Sequence, residues 1–170
     1  MNIAVLKPSG RYCFRPDTTL NREACDYYLP DGIEEVTLTP CIYSKVIKAG
    51  KCISARFAGR HIDNFGFGVL LDAAGSDPQE ASCMDGTSYI SGDTLPLGEA
   101  AGRAFDVCIN GEPWFSKNDF EESLLAEAVV TVSRRSSLRA TDIVAVSLPA
   151  SISLRKGDWF SFCGKKVNIL

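Results

Sequence analysis

Ile109-Asn110-Gly111-Glu112, with everything from there to Lys156-Gly157-Asp158-Trp159, is the stretch whose reading decides the fold. Asn110-Gly111 is a two-residue hairpin turn, because both residues tolerate positive φ. It lies between the strand-like Ala104-Phe105-Asp106-Val107-Cys108-Ile109 and Trp114-Phe115. Ser116 to Asp119 offer capping side chains ahead of Phe120, Leu124, Leu125, Ala128 and Val132, which step by about four residues as a helix face does. Such a helix lies on a sheet. Ser136-Ser137 ends it. Asp142-Ile143-Val144-Ala145-Val146-Ser147 then reads as a buried strand, closed by Leu148-Pro149-Ala150 where proline forfeits a ladder donor. Lys156-Gly157-Asp158 turns into Trp159-Phe160-Ser161-Phe162-Cys163, and Gly164 sends the chain back through Val167-Asn168-Ile169-Leu170.

A chain of 170 residues is one domain's worth, residues 1–170, and buries a core without staples. With 18 Lys and Arg against 21 Asp and Glu the net charge is −3, which argues against nucleic-acid or membrane partners while leaving room for a local basic patch. Seven cysteines with no Cys-x-x-Cys pair, and an N-terminal apolar run too short for a leader or a span, point to a cytoplasmic protein with reduced thiols. A single histidine and scattered cysteines also argue against zinc.

Towards the N-terminus, residues 2 to 6 read as a strand, Pro8-Ser9-Gly10 as a turn and Tyr12-Cys13-Phe14 as a second strand. Cys25 to Pro30 reads as a short β segment, and Val36 to Ile47 as a strand broken or bulged at Pro40. Ser54 to His61 forms the body of a short helix. Phe65 to Leu71 is a buried strand whose glycines permit close backbone approach, Asp72 to Tyr89 a loop, and residues 98 to 102 a connector.

The order of the Asn-Gly-Glu hairpin, a helix ending in "VSRRSSL", the strand "DIVAVSLP", "LRKGDWF" and a terminal hairpin resembles the C-terminal half of the fumarylacetoacetate hydrolase family. The first half resembles a bacterial branch of that family through Phe14-Arg15-Pro16-Asp17, Gly50-Lys51-Cys52-Ile53, Arg56-Phe57-Ala58-Gly59-Arg60 and Gly68-Val69-Leu70-Leu71-Asp72. The resemblance implies an α+β, β-rich fold, a mixed β-sandwich or β-roll with a few short helices, and a homodimer. Trp114 and Phe115 beyond their turn fit either a dimer contact or a core.

In that family a divalent cation (Mg, Mn or Ca) is held by a Glu-x-Glu strand and a later aspartate, since hard ions need anionic oxygens. The resemblance puts these positions on Thr39, Cys41 and Leu70, none a carboxylate, with Asp72 two residues further along the same face. The family's lid histidine has no counterpart before Phe14, and His61 reads as a surface or satisfied core histidine. The lysine of its "KGFDG" turn is replaced by Ile90 beside a retained Asp93, and the threonine of its "GTP" loop by Leu148. By resemblance Arg15, Ile90, Asp93 and Leu148 line the substrate pocket.

Without the family, the residues give no catalytic constellation. Cys41 with His61 lacks a third group, Gly66-x-Gly68 lacks a third glycine, and Arg134, Arg135 and Arg139 suit either an anion or the helix's terminal carbonyls. The expectation is a family-like protein that has lost its metal-dependent active site, needs no cofactor, and keeps a binding or assembly role, with a small organic acid as the candidate ligand. The alternative is a hydrolase, isomerase or decarboxylase acting on small β-keto or acylpyruvate-type acids through Asp72, Asp77, Asp85 and Asp93, with Mg, Mn or Ca.

Overall fold

The fold is described from a computed structural model and covers residues 1–75, 77–99 and 102–170. Ser76, within the expected loop 72–89, and Ala100 and Ala101, within the expected connector 98–102, lie outside the described residues. The elements run β1 Asn2–Leu6, β2 Tyr12–Pro16, β3 Glu35–Lys45, α1 Ala55–Ala58, β4 Asn64–Ala73, α2 Pro78–Ala81, β5 Ser88–Pro96 and β6 Phe105–Ile109. They continue β7 Glu112–Lys117, α3 Ser123–Ser133, β8 Ile143–Ser147, β9 Ile152–Arg155, β10 Trp159–Phe162 and β11 Lys165–Asn168.

Among the described residues these strands form a seven-stranded sheet, ordered β2-β1-β8-β3-β4-β5 with β9 beside the first half of β3, and a four-stranded sheet ordered β11-β10-β6-β7. The β1–β8 ladder is parallel and the other ladders are antiparallel. This is the expected β-rich α+β architecture. The period-two pattern of β3 drives Val36, Leu38 and Ile42 into the main core, while Cys41 and Tyr43 join a smaller cluster on the opposite face. α3 closes the main core against β8, β1 and β3 with Leu125, Ala128, Val129 and Val132, all buried. The smaller sheet closes it from another side, with Phe105 stacked on Phe67 at 4.7 Å and Phe160 edge-on to Tyr89 at 5.3 Å.

The turn at Asn110-Gly111 forms with φ of 51° and 92°, as the hairpin reading requires. Its side chain reaches across to the second motif: Asn110 Nδ2 donates to Asp158 Oδ1 at 2.9 Å, and Asn110 Oδ1 accepts from Trp159 N–H at 2.9 Å. The "NGE" and "KGDW" words are thus two halves of one hydrogen-bonded corner.

Four local expectations are corrected. α3 begins at Ser123 without a side-chain cap, because β7 runs on to Lys117 and Ser116 Oγ donates to Asp106 instead of capping the helix. The helix expected over 54–61 is the single turn α1, since Ile62 bridges Val46 and pulls the chain back into extended form. The 72–89 loop holds α2, started by Asp77 accepting from Gln79 N–H with Pro78 in its first turn, and reaches β5 at Ser88. Cys25 to Pro30 is not a strand: it docks on the C-terminus through Tyr27, which donates to Asn168 and accepts from Leu170. No helix among the described residues is long and apolar enough to cross a membrane.

Candidate functional site

A cleft of about 300 Å³ opens on the face of the larger sheet that carries the smaller apolar cluster. Its floor comes from β3 and β4, where Thr39 pairs directly with Leu70 and Thr37 with Asp72. Cys13 and Arg15 of β2 form one wall, and the segment 147–151 leaving β8 forms another. That segment explains Pro40. β8 pairs with residues 41–45 of β3 and β9 with residues 35–38, so on that edge Thr39 and Pro40 face the connecting loop instead of a strand, while their other edge pairs with β4. A residue without an N–H is tolerated there, and the Pro40 carbonyl accepts from Leu148 N–H at 2.8 Å.

Arg15 is the most deeply placed charge, 1% exposed at the back of the cleft. Its Nη1 donates to Asp72 Oδ1 at 2.8 Å, and its Nη2 to the Leu71 carbonyl at 2.6 Å and to Thr87 Oγ1 at 2.8 Å. Burying a guanidinium costs several kcal/mol unless it is paired, and Asp72 supplies the counter-charge. Arg15 Nε is buried without a partner.

Cys41 sits one pair further along the same face, opposite Gly68 and Ser147. It is fully buried, and burial pushes its thiol up to about 12, so it stays protonated at neutral pH. Burial also raises Cys13, outweighing the opposing effects of Lys7 and Arg15. Gly66 and Gly68 are required here by close approach: a Cβ on Gly66 would stand 2.4 Å from the Tyr43 ring, and one on Gly68 2.8 Å from the Tyr89 carbonyl.

Arg15, Thr39, Leu70, Asp72 and Leu148 are therefore brought together in one cleft, with Cys41 in the sheet beside it. Ile90 lies opposite Gly68 and lines a neighbouring depression with Tyr43. Asp93 does not line the cleft; it is exposed where β5 bulges against β4 between Gly66 and Gly68. His61 is also elsewhere, buried with Nδ1 at 2.8 Å from the Lys48 carbonyl, a satisfied structural histidine. Asp77 caps α2, and Asp85 is exposed outside the cleft. Among the described residues no three His, Cys, Asp or Glu side chains gather as ligands for a cation. Lys7 and Cys13 line the cleft without having been singled out in the sequence, and Ser147, the first residue of the GTP-loop counterpart, lines it with them. The period of two offered a signal for Cys13, which shares a face with Arg15 on β2.

A β-roll with a ligand-sized cleft where its central strands meet the 147–151 loop defines a fold class, and solved structures identify it. No family model matches the sequence, and no curated protein matches it. The structure is similar to that of a protein assigned to the fumarylacetoacetate hydrolase family from Yersinia pestis CO92, with a TM-score of 0.81 at 20% identity over 99% of this chain and 92% of that one. It is also similar to a fumarylpyruvate hydrolase from Pseudomonas aeruginosa solved with Mn2+ and pyruvate, TM-score 0.80 at 13% identity over 100% and 89% of the two chains. A 2-hydroxyhepta-2,4-diene-1,7-dioate isomerase from Mycobacterium marinum gives 0.83 at 15% identity over 99% and 74%. The chain has the fold of the fumarylacetoacetate hydrolase family.

Proposed function

We propose that this protein is a fumarylacetoacetate hydrolase family member that keeps the family's cleft but not its metal-dependent chemistry, and acts by binding or assembly. The observation that carries this reading is the composition of the cleft floor. A hard divalent cation draws its affinity from several anionic oxygens. Thr39, Leu70 and Cys41 offer a hydroxyl, an isobutyl group and a buried thiol, and the one carboxylate, Asp72, is already ion-paired with Arg15. This donor set does not fit such an ion, so no step is routed through one.

What remains suits a small organic acid. Lys7 supplies positive charge beside the neutralised Arg15–Asp72 pair, while Thr39, Ser147 and Ser151 supply hydroxyls around an apolar floor. Seven free thiols support a reducing, cytoplasmic setting, and half-buried Trp114 and Phe115 on the edge strand β7 support a homodimer. The test assays acylpyruvate cleavage and oxaloacetate decarboxylation with added magnesium or manganese. No turnover is expected. Turnover abolished by Asp72→Ala would replace this reading with an enzyme working through the retained carboxylate. Light scattering at tens of micromolar should give a dimer mass.

A further inference from the structure

The C-terminal end of α3 lies at the centre of a basic surface, without salt bridges among the described residues, that lies outside the cleft. On one side, Arg134 and Arg135 line an open groove with Arg11 and Tyr12 of the β1–β2 hairpin, held in place where Tyr12 Oη meets Ser136 Oγ at 3.2 Å. On the other side, the 47–53 loop is bonded to the helix end, with Cys52 N–H donating to the Ser133 carbonyl at 2.7 Å and Ile53 N–H to Ser133 Oγ at 3.0 Å. That loop carries Lys48 and Lys51, and Gly50 bridges Leu138, next to Arg139. α1 packs on α3 and adds Arg56 and Arg60, whose guanidiniums lie 5.5 and 5.0 Å from the centre of the Phe57 ring.

These eight cations are nearly half of the 18 Lys and Arg in a chain whose net charge is −3. None of them makes a salt bridge among the described residues. Nor do the Arg134 and Arg135 guanidiniums bond the helix's terminal carbonyls, so complementing the helix dipole does not account for them. Glu127 on α3 and Asp63 after α1 are exposed, and neither lines the groove. Two of the chain's few exposed large apolar side chains, Ile47 at 48% and Phe57 at 41%, stand on this same surface.

We propose that this corner is a docking surface for an acidic polypeptide segment that carries apolar side chains. The groove's arginines present planar forks that take carboxylates bidentately, and stacking on Phe57 holds two more guanidiniums in place. Ile47 and the edge of Phe57 offer the apolar contacts between them. Phe57 is poorly suited to stack on nucleic-acid bases, because its ring is attended by its own two arginines. The net negative charge of the rest of the chain also opposes an extended polyanion or an anionic membrane plane more than a short segment confined to the patch.

The test measures fluorescence anisotropy of a labelled peptide of repeating Glu-Glu-Leu, with the matching Gln-Gln-Leu peptide, a single-stranded oligonucleotide and phosphatidylserine vesicles as competitors. The acidic peptide should bind, and only unlabelled acidic peptide should displace it. Raising monovalent salt from about 0.05 M to about 0.5 M should weaken binding about tenfold. R134E/R135E and R56E/R60E should each weaken it by about thirtyfold or more, and I47S/F57S by about fivefold, with thermal unfolding unchanged. Equal binding of the Gln peptide, tighter binding of the oligonucleotide or vesicles, or charge-reversed variants that bind normally would overturn the proposal. A change of oligomeric mass in those variants would instead assign the surface to contact between copies, and would overturn it too. The outcome is independent of the cleft, since none of these residues lines it.

Discussion

The two faces of the larger sheet are built from the same strands and do opposite things. On one face Val36, Leu38, Ile42, Val69 and Leu71 meet α3 and the smaller sheet in a continuous core. On the other, alternate residues of those strands, Thr39, Cys41, Leu70 and Asp72, meet a cleft and a buried ion pair. The first face shows what holds the fold together. The second can carry side chains of varied chemical type on the same backbone, because neither the ladder hydrogen bonds nor the main core depend on them.

The largest expected effect comes from forcing the second face towards metal chemistry. The triple variant T39E/C41E/L70D places three carboxylates together, one of them at a fully buried position, and should lose about 4 kcal/mol or more without metal. Millimolar manganese should restore part of that loss in thermal unfolding while leaving the unmodified protein's melting temperature unchanged. A manganese shift in the unmodified protein would mean that the cleft binds the ion.

Leu70 and Leu71 are neighbours in sequence on opposite faces, 3% and 0% exposed, and allow a direct comparison. Leu71→Ala should cost about 3–4 kcal/mol by chemical denaturation, because the cavity lies in a core that cannot collapse, and Leu70→Ala about 2 kcal/mol because its space opens to the cleft. Equal costs would erase the distinction between the faces.

Arg15→Ala should cost about 2–3 kcal/mol, since it leaves Asp72, the Leu71 carbonyl and the Thr87 hydroxyl without their donor. Asp72→Asn should cost less, about 1 kcal/mol, because its side chain is 30% exposed and the amide still accepts from Arg15. If Asp72→Asn cost more than Arg15→Ala, the carboxylate and not the guanidinium would be the structural member of the pair.

The smallest effect lies outside both faces, at the corner joining the two C-terminal turns. Asp158 is held below the ordinary carboxylate range, first by the Arg155 backbone N–H and then by the Asn110 side chain. A lowered folded-state pKa stabilises above the ordinary aspartate range, and that contribution is lost as pH falls through the lowered value. Asp158→Asn should therefore reduce stability modestly at pH 7, and the gap to the unmodified protein should close in acid titrations as pH falls through the lowered value. A gap that persisted at low pH would mean that the asparagine disrupts the turn itself.

Much of the candidate site was legible because a strand's period of two is visible in the sequence: Thr39 with Cys41, and Leu70 with Asp72, share a face wherever β3 and β4 form. Asp93 was less legible, because a bulge in β5 breaks that period. His61, the lone histidine beside a short helix, is held away from the cleft by its contact with the Lys48 carbonyl, a packing detail no local pattern encodes.

The sequence alone determined the local pieces. Asn110-Gly111 had to turn, the Leu125-Ala128-Val132 face had to be buried, and the β-branched run of β8 had to be a buried strand, because each follows from steric freedom or periodicity within a few residues. Only the tertiary structure decided what those pieces surround. Arg15 and Asp72 are 57 positions apart, and Arg11 reaches the groove beside Arg134 through the packing of a hairpin against a helix end. Such encounters depend on which strands pair, and pairing is set by the summed burial of the whole sheet rather than by any one segment's pattern.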